Sequence, residues 1–190
     1  MLLRRRDTGI APYDAGIVPR TIRSGNYMEK IISLKKRKQT HLKEYDYSNT
    51  YAVYFVTLCV HAKQPHFKNP ETAVYIADEI NYRAHTTKEV LVLAYCIMPD
   101  HVHLLIKLNQ GYGNTLQNWV AAFKRYTARL FQQSNGVSPL WQKNFYEHVV
   151  REEESLEQIA EYIVHNPVRK NMVNDWKEYC FSKIDYDAFQ

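Results

Sequence analysis

The 190-residue sequence predicts an α+β fold, one antiparallel sheet carrying helices on one face. Three observations predict it. Stretches rich in β-branched and aromatic residues recur at 51–62, 89–97, 101–108 and 144–150. Apolar residues at helical spacing lie between them, over 71–87 and 115–133. A further helical pattern follows the last strand, from Ser155 to Pro167. The order β-α-β-β-α-β-α is that of a ferredoxin-like layer with one extra C-terminal helix.

Residues 1–45 lack sustained periodicity. They hold the basic clusters Arg4-Arg5-Arg6 and Lys35-Lys36-Arg37-Lys38, broken by Gly, Pro and Ser. The composition reads as a mobile basic arm. Phosphate contact through Lys35, Lys36 and Arg37 is its functional reading, and a solvated tail the plain one. A third reading starts translation at Met28, with residues 1–27 not native. The first strand, Tyr-Ala-Val-Tyr-Phe-Val-Thr-Leu-Cys-Val-His-Ala, ends before a loop bracketed by Pro65 and Pro70. Val74, Ala77, Ile80, Tyr82 and Ala84 mark the first helix. Gly111 and Gly113 precede the second, whose apolar stripe is Leu116, Trp119, Phe123, Thr127 and Leu130. Lys124, Arg125 and Arg129 lie largely off that stripe, as phosphate contacts or a solvated face. The last helix opens on Ser155, with Gln158 in capping-box position, and stops at Pro167, because the residue before proline avoids helical geometry. Residues 173–190 read as a tail anchored by Trp176, Tyr179 and Phe181. The expected domain spans 46–172.

Composition excludes several classes. No run of eighteen apolar residues exists, so no membrane helix is expected, and the N-terminus lacks the apolar core of a signal peptide. Cys59, Cys96 and Cys180 form no Cys-x-x-Cys, which argues against a disulfide framework or zinc knuckle and for a reducing cytoplasm. Net charge is +5. Residues 1–50 hold eleven Lys/Arg and five Asp/Glu, or +6, and the other 140 hold fourteen and fifteen, or −1. The basic excess therefore belongs to the arm, and a nucleic-acid site on the domain must be a local patch.

The chemistry centres on residues 93–108, an apolar strand, a Met98-Pro99-Asp100 turn, and a strand opening on His101. Strand alternation turns His101 and His103 to one face, about 7 Å apart along the strand, and Val102, Leu104 and Ile106 to the other. Two such imidazoles can converge on one metal ion; the plain reading is a half-buried strand with two polar positions. A third histidine in that alternation would fall at Leu105, so a His-triad nucleotide hydrolase is excluded. Two histidines and an amide or carboxylate oxygen make a metal site that is electrophilic toward a phosphodiester. Tyr162 and Asn166 share one edge of the last helix, one turn apart. Asn166 there is an oxygen ligand or a helix-end cap, and Tyr162 a nucleophile or, among fifteen tyrosines, a packing residue. Tyr126, beside Lys124 and Arg125, is the rival nucleophile.

The run Tyr95-Cys96-Ile97-Met98-Pro99-Asp100-His101-Val102-His103-Leu104-Leu105 resembles the His-hydrophobic-His signature of the single-tyrosine transposases, the insertion-sequence-200/605-like class. Tyr45-Asp46-Tyr47-Ser48, Trp141 to His148, and Glu161-Tyr162-Ile163-Val164-His165-Asn166-Pro167-Val168-Arg169 are similar to its REP-associated tyrosine transposase branch. The resemblance covers about residues 37 to 183. It implies an RRM-like HUH endonuclease that cleaves and rejoins hairpin-forming single-stranded DNA through a 5′-phosphotyrosine on Tyr162. It implies Mg²⁺ or Mn²⁺ on His101, His103 and Asn166, where many relatives carry Gln, and Asp100 where Asn is more usual. Neutral histidines are needed to ligate, so activity is expected to fall below about pH 6. The expected protein is cytoplasmic and nucleoid-associated, a monomer or homodimer without membrane contact. Three alternatives stay open: a domesticated, non-enzymatic binder of palindromic repeats, an RNA-binding module on the same sheet, and a small-phosphodiester hydrolase.

Overall fold

A computed structural model describes residues 44–135 and 139–189. The arm expected over 1–45 therefore lies outside the described residues except for Glu44 and Tyr45. The elements are β1 (Val53–Cys59), α1 (Pro70–Asn81), β2 (Val90–Met98), β3 (His101–Leu108), α2 (Leu116–Asn135), β4 (Tyr146–Val149), α3 (Leu156–Val164), a short α4 (Asn166–Arg169) and β5 (Ser182–Ile184). The strands form one antiparallel sheet in the order β4-β1-β3-β2-β5. This is the ferredoxin-like order with a fifth strand added. That strand comes from the segment expected to be a plain tail, where three residues pair with Ala94–Cys96.

Each boundary has a local cause. Asn69 caps α1, its side chain accepting from Glu71 N at 3.0 Å, with Pro70 at the first position where no N–H is missed. The helix then loosens into one wide turn over Tyr82–Thr86, so the pattern read as 71–87 is regular only to Asn81. Ser155 caps α3 by accepting from Gln158 N at 3.2 Å, and its hydroxyl donates to Glu157; the Gln158 side chain does not return a bond to Ser155 N, so the cap is single rather than a box. Pro167 stops α3 as expected but opens the short turn of α4.

The two sheet faces are covered differently. Tyr54, Val56 and Leu58 of β1 and Val102, Leu104, Ile106 and Leu108 of β3 face α1 and α2, and meet Ile76, Ile80, Leu116, Trp119 and Phe123 in the main core. The opposite face carries a smaller cluster. There α3 lies over β2, β3 and β5, with Ile159, Ala160, Ile163 and Val164 buried, as are Ala94, Cys96, Met98, Leu105 and Ile184.

One residue makes both faces possible. Val90 and Val92 pair with Leu108 and Ile106, but after Leu93 the register shifts, and Tyr95 and Ile97 pair with Leu104 and Val102. Leu93 is a bulge, and it exchanges which parity of β2 faces the main core. Deleting Leu93 should turn Tyr95, Ile97 and their neighbours through to the wrong faces. The expected result is loss of at least about 3 kcal/mol of stability, of the order seen for large core defects, measured by urea denaturation. A variant within about 1 kcal/mol of the parent, the size of a surface change, would show the bulge to be dispensable.

Candidate functional site

Alternation along β3 puts Val102, Leu104 and Ile106 in the main core and leaves His101 and His103 on the α3 side. Register fixes their neighbours. Cys59 and Met98 flank His101, while Thr57 and Cys96 flank His103. Tyr146 of β4 lies beyond Thr57, and Ser182 of β5 beyond Cys96. One row of side-chain positions thus crosses all five strands with His103 at its centre.

The imidazoles converge. Their ring centroids are 4.6 Å apart, inclined at 77°, and the two Nε2 atoms are 3.1 Å apart. The opposite nitrogens are held from behind. His101 Nδ1 is bonded to the Asp100 carboxylate, and His103 Nδ1 lies 2.9 Å from Thr57 Oγ1. An ionised carboxylate only accepts, so His101 donates from Nδ1, which leaves its Nε2 an acceptor facing His103 Nε2. This is the arrangement that orients metal-ligating histidines. Two nitrogens each about 2.1 Å from one ion, at roughly a right angle, stand about 3 Å apart. The 3.1 Å separation therefore fits a shared divalent ion. Cys96 shares the face but not the chemistry. Burial pushes its thiol up to about 12, and Ser182 Oγ donates to its sulfur at 3.1 Å. It is a neutral thiol in the floor of the site. Among the described residues, no group of three or more His, Cys, Asp and Glu is arranged to hold a metal, so a third protein ligand must be of another type.

Helix α3 supplies the rest. Its apolar arc is buried, and Tyr162 sits at the edge, half-buried, meeting the Phe55 ring at 80° and 6.4 Å. Phe55 in turn lies 5.4 Å from the His103 ring. Tyr162 and His103 thus border the same side chain, although their elements are far apart in sequence. Asn166, one turn on, is buried. Its amide nitrogen donates to Ile163 O at 2.9 Å and Tyr162 O at 3.3 Å. The capping role falls to Nδ2, and Oδ1 has no protein donor among the described residues, so it suits an oxygen ligand.

Some contributors escape the sequence. Thr57 shows its place only once the β1–β3 register is known. Asp100 reads as a minor departure from Asn, yet it anchors His101 and stands 3.8 Å from Lys63. Arg169 donates from Nη1 to Tyr162 O at 2.9 Å and lays its guanidinium carbon 3.8 Å from the centre of the Tyr162 ring. Its signal in the sequence is weak, a position seven residues after Tyr162 across a proline.

Of the expected DNA-contacting residues, Lys124, Arg125 and Arg129 are not gathered around the histidines. Lys124 points its ammonium at the carbonyls of Gln142, Lys143 and Asn144, and burial lowers its pKa. It ties α2 to the segment leading into β4. Trp141, in the same segment, is buried and donates to Thr127 Oγ1 at 2.9 Å. Arg125 and Arg129 are exposed on α2, the helix that covers the other sheet face. Lys35, Lys36 and Arg37 lie outside the described residues. Tyr126, the rival nucleophile, is exposed on α2 as well, across the sheet from the histidines.

Comparison with known proteins gives concordant matches. The family model described as "Transposase IS200 like" matches residues 48–166. The chain is 29% identical over 132 residues to a candidate REP-associated tyrosine transposase of Haemophilus influenzae, covering 62% of this chain and 75% of that protein. It is 27% identical over 95 residues to the REP-associated tyrosine transposase of Escherichia coli K12, covering 50% of this chain and 54% of that one. A solved structure of a REP-associated tyrosine transposase bound to a REP hairpin matches the fold with a TM-score of 0.56 at 19% identity, covering 76% of this chain and 82% of that chain.

Lys124→Met keeps the aliphatic stem and removes the ammonium. The expected cost is about 1–3 kcal/mol in urea denaturation, the penalty for carbonyls left without a donor. Unchanged stability would return Lys124 to the residues available for phosphate.

Proposed function

The chain belongs to the IS200-like transposase family of DNA-cleaving enzymes, and from that premise we propose that it cleaves and rejoins single-stranded, hairpin-forming DNA with Tyr162 as nucleophile. The observation that carries this reading is that Phe55 borders both Tyr162 and His103, one of the convergent Nε2 pair, with Asn166 one helical turn from Tyr162. His101, His103 and Asn166 Oδ1 are the residues that would hold Mg²⁺ or Mn²⁺. When bound, that ion supplies Lewis acidity toward a phosphate oxygen.

The side chains divide the remaining work. Asp100 and Thr57 keep the imidazoles oriented. Phe55 excludes water from one side of the phenol. Tyr162 loses its proton to solvent, its oxygen bonds to the scissile phosphorus, and the bond from phosphorus to the 3′ oxygen breaks. The departing oxygen takes up a proton. The products are a 5′-phosphotyrosine and a free 3′-OH, and attack by a 3′-OH on the adduct reverses the step and joins strands. The phosphoester is conserved throughout, so no nucleotide cofactor is required.

The hairpin is proposed as substrate because the structural relative is described with one. Arg125 and Arg129 suit backbone phosphates, since α2 carries no acidic residue over its length, and the basic arm is proposed to add to them. No helix among the described residues is long and apolar enough to cross a membrane, and the proposed place of action is the cytoplasmic nucleoid.

Incubation with labelled hairpin DNA and Mg²⁺, followed by denaturing electrophoresis, should show a covalent protein–DNA band. Tyr162→Phe should bind DNA and lose the band, while Tyr126→Phe keeps both. Persistence of the adduct in Tyr162→Phe would reassign the nucleophile. No adduct with any hairpin from the gene's own flanks would favour a non-enzymatic DNA binder. His101→Ala and His103→Ala should each abolish Mn²⁺ binding in calorimetry while the fold stays cooperative; unchanged affinity in both would remove the metal site.

Deleting residues 1–36 should weaken binding and flatten its salt dependence, by about 0.7 in log–log slope for each single-strand phosphate that the arm neutralises. An unchanged slope would show that the arm does not touch DNA.

A further inference from the structure

We infer that Arg169 is the positioning residue for Tyr162, holding the phenol by its face so that the nucleophilic oxygen has one direction. The inference rests on Tyr162 being the nucleophile. A tyrosine at a helix edge keeps two rotatable side-chain bonds, and half-burial alone does not fix them. A nucleophile must be fixed, since a misplacement of about 1 Å costs on the order of a hundredfold in rate.

Two contacts on the phenol ring restrict it. Phe55 meets it at 80°, and the Arg169 guanidinium lies against it at 3.8 Å from its centre. The guanidinium is itself tethered. Nη1 donates to Tyr162 O at 2.9 Å, so the same residue is gripped at its backbone and at its ring. The backbone of Arg169 is held by the turn that Pro167 opens, with Arg169 N donating to His165 O at 3.0 Å and Lys170 N to Asn166 O at 3.1 Å. That turn also carries Asn166, so the proposed oxygen ligand and the clamp on the nucleophile are set by one piece of backbone.

The chemistry favours arginine. A planar guanidinium stacks on an aromatic face and still donates sideways, whereas an ammonium is a point charge without a plane. Arg169 is exposed as a whole residue, while desolvation of its guanidinium lowers its pKa. Its stacking contact and its side-chain bond both fall on Tyr162, so the grip is on that residue.

The test uses the full chain with Arg169→Ala and Arg169→Lys, labelled hairpin DNA and Mg²⁺. In Arg169→Ala the rate of adduct formation at saturating DNA should fall about tenfold or more, while the half-saturating DNA concentration stays within about twofold. Arg169→Lys, which restores charge without the plane, should recover only a small part of the rate. With fluorotyrosine incorporated, the Tyr162 ¹⁹F resonance, identified by its absence in Tyr162→Phe, should move in Arg169→Ala. An unchanged rate in Arg169→Ala, a defect lying wholly in half-saturation, or an unmoved resonance would overturn the inference. No adduct from the unaltered chain would instead sink the nucleophile reading, and this inference with it.

Discussion

The structure depends on β3 serving two faces at once. It is the middle strand of five, paired on both sides, so its register is fixed twice. One set of its alternating residues closes the main core; the other set delivers two imidazoles to the opposite face. A slip by one residue would turn both histidines into the main core and carry Val102, Leu104 and Ile106 to the α3 face. The hydrophobic effect that drives those residues into the main core thus also sets the histidines on the opposite face. Thr57 and Cys96 then arrive beside His103 through strand pairing, without further design at the site.

Much of this is legible in the sequence. Periodicity locates the helices and four of the strands, and the alternation around His101 and His103 needs no fold to interpret. The helix edge shared by Tyr162 and Asn166 follows from 100° per residue and the stop at Pro167. What stays hidden depends on contacts between distant segments. The Leu93 bulge lies within an unbroken apolar run, where parity cannot be read. The strand Ser182–Ile184 is only three residues long and exists because β2 has a free edge. Thr57 and Arg169 are unremarkable residue types until their neighbours are known.

Residues at this site often do two things. In sequence Asn166 reads as either a ligand or a cap; its amide nitrogen takes the cap and leaves the oxygen for the proposed ligand role. Asp100 occupies the turn between β2 and β3 and also fixes the tautomer of His101. Lys124 reads as either a phosphate contact or a solvated residue, and its structural contacts belong to neither reading. Its ammonium gathers backbone carbonyls from the segment entering β4, a duty that helical spacing alone does not disclose.

The division of the site between β3 and α3 has a consequence for motion. Amides in a central strand bonded on both sides exchange with solvent only through large-scale opening, whereas a nine-residue helix lying on one face opens at lower free energy. The histidines are therefore expected to sit in the part of the molecule slowest to exchange, and Tyr162 in an element that opens more readily. On the proposed reading a phosphotyrosine would be held while one strand end departs and another arrives. Local opening of the helix would then let the adduct move with its DNA end while the clamp on the ring keeps its direction, and the histidine pair beneath would stay assembled.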